Sequence, residues 1–115
     1  MIMTVGQMAE SLDLEVLTAE ANLGEMVEAG YVSDLLSDVI ANAPENSVWV
    51  TVQRHINILG VAKLKNIVAI VTPRDLRIET AVIEKAKAES VALLRTPISA
   101  FDVTGRLHEL ITKGR

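Results

Sequence analysis

Three polar segments of the sequence carry residue types that bind anions, and each directly follows a short apolar run. They are residues 51–55 (TVQRH), 72–75 (TPRD) and 95–99 (RTPIS). Their candidate ligand-binding side chains are Arg54, His55, Thr72, Arg74, Thr96 and Ser99. A guanidinium can hold a phosphate or carboxylate in two parallel charge-assisted hydrogen bonds, and hydroxyls add donors. The segments therefore predict a site for a small anion. The alternative is that these polar residues only cap the following helices.

His55 is the natural candidate for a general base, because histidine titrates near neutral pH. No serine or cysteine stands beside it in a recognisable nucleophile elbow. The sequence also lacks the phosphate-binding patterns G-x-x-x-x-G-K-[ST] and G-x-G-x-x-G. We therefore expect no catalytic activity and no cofactor.

The sequence gives little support for metal binding. Without cysteine, the chain can form neither a thiolate metal site nor a disulfide. Asp34 and Asp38 are spaced to share one helix face, but no spaced set of further oxygen ligands accompanies them. We interpret Asp34 as a residue of the first helical turn, where negative charge suits the helix dipole.

Composition narrows the classes of partner. The formal net charge of −4, with no basic stripe, argues against nucleic-acid binding. Residues 1–4 lack the pattern of a secretory signal, so we expect none, and no apolar run approaches the roughly 20 residues of a membrane helix. We expect a cytoplasmic protein with no membrane partner. Half of the residues are hydrophobic and only 3% are aromatic, so the core must be aliphatic.

Short strands and helices must position the polar segments. Residues 48–52, 67–71 and 91–94 are nearly continuous apolar runs, which is typical of strands covered on both faces. Helical spacing of apolar residues between and after them predicts amphipathic helices. Shorter strands are predicted at 14–17 and 27–32, with Gly30 as a bulge or a point of close approach.

Helix boundaries are predicted from capping residues. Thr4 to Gln7 and Ser99 to Asp102 have the spacing of capping boxes. Ser33 is expected to cap a helix that ends before Pro44. The whole pattern predicts a single α/β domain over residues 1–115. Its expected architecture is a three-layer α/β/α sandwich with a mostly parallel sheet of about five strands. Ligands of such sheets bind beyond the carboxyl ends of the strands.

The sequence resembles the DRTGG domain family over residues 4–111. The resemblance lies in residues 30–36 (GYVSDLL), the strand 48–52 with Arg54, the strand ending at Thr72, and residues 94–96 and 99–101. Family members occur alone or beside phosphotransacetylase catalytic domains and in some CBS-containing pyrophosphatases. They are related to the non-catalytic N-terminal domain of HPr kinase/phosphorylase.

This chain departs from both halves of the family motif. Residues 53–55 (QRH) replace Asp-Arg-Thr, and residues 72–74 (TPR) replace Thr-Gly-Gly. Pro73 has no N–H group with which to approach an anion. Side-chain charge from Arg54 or Arg74 can substitute for the missing glycine amides.

The resemblance implies a non-catalytic regulatory or ligand-sensing module that is dimeric or docks on a metabolic enzyme. A second hypothesis is an interaction or scaffold domain without a small-molecule ligand. A third is an enzyme that acts on a phosphorylated metabolite through Arg54, His55 and Thr72. The mean hydropathy of +0.32 favours a homodimer. Candidate contact surfaces are residues 56–64 and 27–32.

Overall fold

A computed structural model describes residues 3–113 of the chain, which contain seven strands and five helices. The strands are β1 (Met3–Thr4), β2 (Glu15–Val16), β3 (Met26–Val27), β4 (Ala29–Val32), β5 (Ser47–Val50), β6 (Ala69–Thr72) and β7 (Ala92–Arg95). The helices are α1 (Val5–Ser11), α2 (Leu36–Asn42), α3 (Asn57–Lys65), α4 (Thr80–Ala88) and α5 (Ala100–Lys113).

Five strands form the central sheet, in the order β2-β7-β6-β5-β4. Neighbouring strands from β4 to β7 are parallel, and β2 joins β7 in the antiparallel direction. A separate antiparallel pair, β1 with β3, lies outside this sheet. The predicted fold class, an α/β sandwich with a mostly parallel five-stranded sheet, is confirmed.

Two mainly aliphatic cores lie on opposite faces of the sheet, and the core of α2, α3 and α4 also contains the buried Trp49. One core joins the sheet to α1 and α5, and the other joins it to α2, α3 and α4. Every residue of β5 and β6 is therefore buried, which explains why these strands are apolar at successive positions. Since β4, β5, β6 and β7 follow one another across the sheet, their carboxyl ends form one continuous edge.

Local capping agrees with the prediction at α1. Thr4 Oγ1 accepts a hydrogen bond from the Gln7 amide at 3.1 Å, and Gln7 Oε1 accepts one from the Thr4 amide at 2.9 Å. At α2 the prediction is wrong, because the N-cap residue is Leu35 and no side chain caps that helix. The Ser33 hydroxyl instead accepts from the Leu35 amide at 3.2 Å, which makes a turn before the helix begins.

The segment 27–32 is also different from the prediction of one strand. It divides into the end of β3 and the whole of β4, which belong to two different sheets. Gly30 has an ordinary negative φ and lies in a regular parallel ladder opposite Val48, so it forms no bulge. The hydrophobic pattern could not reveal this division, because more exposed and less exposed residues alternate in both pieces.

A side-chain hydrogen bond ties α2 to β4. The Tyr31 hydroxyl donates to Asp38 Oδ2 at 2.9 Å, and the Asn42 amide group donates to Asp38 Oδ1 at 2.9 Å. Hydrogen bonds from Ser33, Asn42 and Tyr31 hold the pKa of Asp38 below its usual value. Desolvation, followed by the Asp38 hydrogen bond and charge, raises the pKa of Tyr31.

Within residues 3–113, no helix is long and apolar enough to cross a membrane.

Candidate functional site

The predicted site residues lie at the carboxyl edge of the sheet, in or directly beside three neighbouring loops. These are the β5–α3 loop (residues 51–56), the β6–α4 loop (residues 73–79) and the β7–α5 loop (residues 96–99). The structure distributes the six candidates unequally among them. Arg54 and His55 lie in the first loop, Arg74 in the second, and Thr96 and Ser99 in the third, whereas Thr72 is the last residue of β6.

Asp34 holds the β5–α3 loop in place through three hydrogen bonds. Its Oδ1 accepts hydrogen bonds from the Thr51 hydroxyl at 2.8 Å and from the Val52 amide at 2.9 Å. Its backbone carbonyl accepts from Gln53 Nε2 at 2.7 Å. Asp34 precedes α2, so the interpretation of Asp34 as a first-turn helix residue is wrong. Its role depends on a contact between residues 17 positions apart in the sequence, which no local sequence pattern indicates.

The β5–α3 loop and the start of α4 enclose an open groove of about 650 Å³. Arg54, His55 and Gln53 line one side, and Arg77 and Glu79 line the other. Arg54 Nη1 donates to the Arg77 carbonyl at 2.8 Å, which bridges the two sides. His55 Nδ1 accepts from the Asn57 amide at 3.2 Å, leaving Nε2 as the ring nitrogen that can meet a ligand. The groove therefore combines exposed cationic groups with an accessible imidazole.

The β6–α4 loop begins with a turn that directs its amides into the protein. Arg74 and Asp75 both have positive φ, at 58° and 52°. Their amides donate to the carbonyls of Ile98 and Thr96, each at 2.9 Å. The left-handed backbone usually favours glycine, yet two non-glycine residues adopt it here. With Pro73 lacking an N–H group, the turn has no amide free for an anion.

Thr51, Thr72 and Arg95 occupy neighbouring positions on the sheet face that carries α2, α3 and α4. Thr72 is paired with Arg95 in the β6–β7 ladder, and the Thr51 amide bonds to Val71 next to Thr72. Thr51 and Thr72 are buried. Thr72 Oγ1 has no hydrogen-bond partner among the described residues. Arg95 is engaged by Glu15 Oε1, at 3.0 Å from Nε and 2.8 Å from Nη2.

The hydroxyls of Thr96 and Ser99 serve the local backbone. Thr96 Oγ1 accepts from the Ile98 amide at 3.4 Å. Ser99 Oγ accepts from the Asp102 amide at 3.0 Å, so the hydroxyl half of the predicted capping box is present at α5. Both contacts agree with the alternative that these residues cap or shape the start of a helix.

Within the described range 3–113, no three histidine or acidic side chains come together as metal ligands would. Asp34 and Asp38, which share a predicted helix face, bind different parts of the chain instead. Asp34 binds the β5–α3 loop, and Asp38 binds Tyr31 and Asn42.

The structure is similar to a solved regulatory region. That structure contains the CBS and DRTGG domains of the regulatory region of Clostridium perfringens pyrophosphatase, in complex with its activator diadenosine tetraphosphate. The match has a TM-score of 0.68 at 12% sequence identity. The chain has a DRTGG-like fold. The match covers 88% of the present chain, which spans 44% of the length of the solved chain.

At this low identity, the likeness concerns the fold alone. The similar protein is a regulatory rather than a catalytic region, and it binds a small activator. No family model and no curated protein matches the sequence.

Proposed function

We propose that residues 1–115 form a single, non-catalytic, ligand-sensing domain of the cytoplasm, and that its ligand is a small anion. The groove beside the β5–α3 loop carries this proposal. Arg54, Arg77 and His55 line it, and Glu79 is the one carboxylate among the described residues that form its walls. Exposed guanidinium groups that share one groove are suited to phosphate or carboxylate.

The charge of the groove contrasts with that of the chain. The formal net charge is −4, whereas two arginines face one glutamate in the groove. A local positive region on an acidic protein attracts anions to that region rather than to the surface in general. The groove volume of about 650 Å³ falls within the range of small-molecule sites.

The position of Arg54 is held by neighbouring contacts. Asp34 holds the loop that carries Arg54, and Arg54 reaches across to the Arg77 carbonyl. A ligand anion would replace that carbonyl as the partner of the guanidinium. The β5–α3 loop and α4 would then be linked through the ligand, which gives binding a means to change the surface of the domain.

The similar regulatory region supports the proposal at the level of ligand class. Its activator, diadenosine tetraphosphate, is a polyphosphate and therefore strongly anionic. We infer that the present domain likewise regulates, either as a homodimer or docked on a metabolic enzyme.

One observation favours a second candidate, an interaction domain without a small-molecule ligand. The amides of Arg74 and Asp75 and the hydroxyls of Thr96 and Ser99 already serve the protein backbone. Arg54 also has a backbone partner in the free protein. Under this candidate, the carboxyl edge is a structural joint and the groove stays empty.

Calorimetric titration with inorganic phosphate, ATP and diadenosine tetraphosphate separates the two candidates. We expect at least one of these anions to bind, and Arg54→Ala to weaken it roughly ten- to a hundredfold. Arg106→Ala is the matched control, because Arg106 is exposed on α5 and does not line the groove. Absence of binding by all three anions, or equal weakening by both variants, would contradict a ligand site at Arg54.

A further inference from the structure

The groove beside the β5–α3 loop has an apolar part as well as its charged groups. Val52 and Ile56 from the loop and Ala81 from α4 line it together with the arginines. Val52 and Ile56 are half-buried and Ala81 is exposed, so each side of the groove keeps some accessible apolar surface. A bare phosphate ion at the arginines would leave this surface in water, which is unfavourable. The lining therefore favours a ligand that joins an anionic group to an apolar body.

The segment leading into α4 directs two charged side chains to the groove. Ile78 is buried, at 6% exposure, whereas Arg77 and Glu79 on either side of it are exposed and line the groove. Side chains alternate between the two faces of an extended chain, and Glu79 has extended backbone angles. Arg77 and Glu79 therefore lie on the same side of the segment, roughly 7 Å apart along the chain.

The carboxylate of Glu79 is free to meet a ligand. Glu79 is the N-cap residue of α4, but its side chain makes no capping hydrogen bond. It also has no ion-pair partner among residues 3–113. A carboxylate accepts hydrogen bonds and repels other anions, so it suits a hydroxyl or amino group rather than a second phosphate. The ligand is thus expected to carry a donor group a few bonds from its anionic end.

Three residues of the α4 side follow one another with different chemistry. Arg77 presents a cation, Glu79 an acceptor of hydrogen bonds, and Ala81 a small apolar surface. At the cationic end, Arg54 Nη1 donates to the Arg77 carbonyl at 2.8 Å, so the Arg54 guanidinium lies next to Arg77. At the apolar end, Ala81 lies in the first turn of α4, and Ile56 precedes α3 on the other side. The groove therefore suits an anionic group, a donor and an apolar body in this order.

We propose that the groove binds a nucleotide. The phosphate lies at Arg54 and Arg77, and the ribose hydroxyls donate to Glu79. The base lies between Ile56 and Ala81. A nucleotide carries phosphate, hydroxyls and a flat, largely apolar base in this order, whereas a sugar phosphate lacks the base and an acyl phosphate lacks both base and hydroxyls. The inference rests on the proposed function, because it names the ligand class of the same groove.

His55 adds a donor at the phosphate end. Its Nδ1 accepts from the Asn57 amide at 3.2 Å, so the proton of the neutral ring is on Nε2. His55 directly follows Arg54 in the loop and lines the same groove. The Nε2–H group can therefore donate to a phosphate oxygen that the arginines leave free.

The charges favour a free nucleotide over a nucleic-acid strand. Proteins that bind single strands follow the backbone with a positively charged groove. Here Glu79 lies directly beyond the two arginines, where it would repel the next phosphate of a strand. The formal net charge of −4 acts in the same direction.

Calorimetric titration of the full chain with AMP, ribose 5-phosphate and inorganic phosphate tests the ligand class. We expect AMP to bind at least about tenfold more tightly than ribose 5-phosphate, because burying roughly 55 Å² of apolar surface has this effect. Equal affinities for the two would overturn the inference and leave the anion site standing. Absence of binding by all three would overturn the anion site as well. A single-stranded DNA oligonucleotide that binds more tightly than AMP would also overturn the inference.

A substitution on α4 tests the position of the base. Ala81→Leu puts a larger side chain where the base lies, so it should weaken AMP binding at least about tenfold and change phosphate binding much less. Ala88→Leu is the matched control, because Ala88 is exposed on the same helix and does not line the groove. Leucine is a good helix former, and circular dichroism checks that both variants are folded. Unchanged AMP binding in Ala81→Leu, or equal weakening of AMP and phosphate, would overturn the inference.

Glu79→Gln tests the ribose contact through two effects of opposite sign. Removing a negative charge roughly 7 Å from the phosphate should tighten inorganic phosphate about two- to threefold. The wild type should prefer AMP over 2′,3′-dideoxy-AMP by about tenfold, because a hydrogen bond to a carboxylate is lost without the hydroxyls. Glu79→Gln should lower that preference to about threefold, since the amide oxygen is a weaker acceptor. A preference that is absent in the wild type, or unchanged in Glu79→Gln, would contradict the proposed arrangement.

Discussion

The ends of β5 and β6 lie side by side but are stabilised in different ways. Thr51 and Thr72 follow each other across the sheet and are 2% and 1% exposed. The Thr51 hydroxyl donates to Asp34 and accepts from the Gln53 amide at 3.1 Å. The Thr72 hydroxyl has no partner among residues 3–113. The two threonines are therefore equally buried, but only the Thr51 hydroxyl has hydrogen-bond partners among the described residues.

The loops that follow β5 and β6 also differ in how they are held. The β5–α3 loop is held from behind by Asp34, which leaves Arg54 and His55 facing the groove. The β6–α4 loop is held by its own amides and contains two residues with positive φ. The comparison indicates that one loop is organised to present side chains, whereas its neighbour joins two strand ends.

The largest effect should follow from removing the support of the first loop. Asp34→Ala leaves the Thr51 hydroxyl and the Val52 amide without their acceptor, so it should lower the free energy of unfolding by about 2 kcal/mol. Urea unfolding measures this change. Glu20→Ala, an exposed carboxylate in a turn, is the control and should change it by less than about 0.5 kcal/mol. Equal effects would remove the distinction between the loops.

The paired threonines should respond to the same substitution with opposite signs. Thr51→Val leaves Asp34 and the Gln53 amide short of a partner and should destabilise by about 1.5 kcal/mol. Thr72→Val removes a buried hydroxyl that has no partner and should stabilise the free protein by about 1 kcal/mol. Destabilisation by Thr72→Val in thermal or urea unfolding would show that its hydroxyl is satisfied in solution.

A smaller effect separates the two arginine positions. Arg74→Gly relieves a left-handed conformation and should stabilise by about 0.5 kcal/mol after the added freedom of the unfolded chain is counted. Arg54 has no positive φ, so Arg54→Gly should destabilise by about 0.5–1 kcal/mol. Paired urea unfolding curves check the sign of each change, and a shared sign would contradict the backbone account.

Much of the fold could be predicted from local patterns. The apolar runs at 48–52, 67–71 and 91–94 predict buried strands because strands covered on both faces need no polar alternation. Their polar ends could then be assigned to one edge of the sheet. Thr4 was identifiable because a capping box is a contact between residues three apart.

The details of the site could not be predicted in this way. The role of Asp34 depends on its hydrogen bond to Thr51, which lies 17 residues further along the chain. The helix α2 begins only at Leu36, later than a cap at Ser33 would predict. Positive φ at Arg74 and Asp75 had no glycine to signal it. The strand order has no reversal along β4 to β7, so the groove forms between two consecutive loops rather than at a switch in topology.

The central claim is that an anion binds at the β5–α3 loop and not merely somewhere on the protein. Titration of the ¹⁵N-labelled chain with diadenosine tetraphosphate, followed by NMR, tests this claim most directly. We expect saturable shifts of the amides in residues 51–56 and 76–79, reduced in Arg54→Ala, while the amides of residues 104–112 stay unchanged. Shifts centred on residues 104–112, or equal shifts in the wild type and Arg54→Ala, would contradict the account.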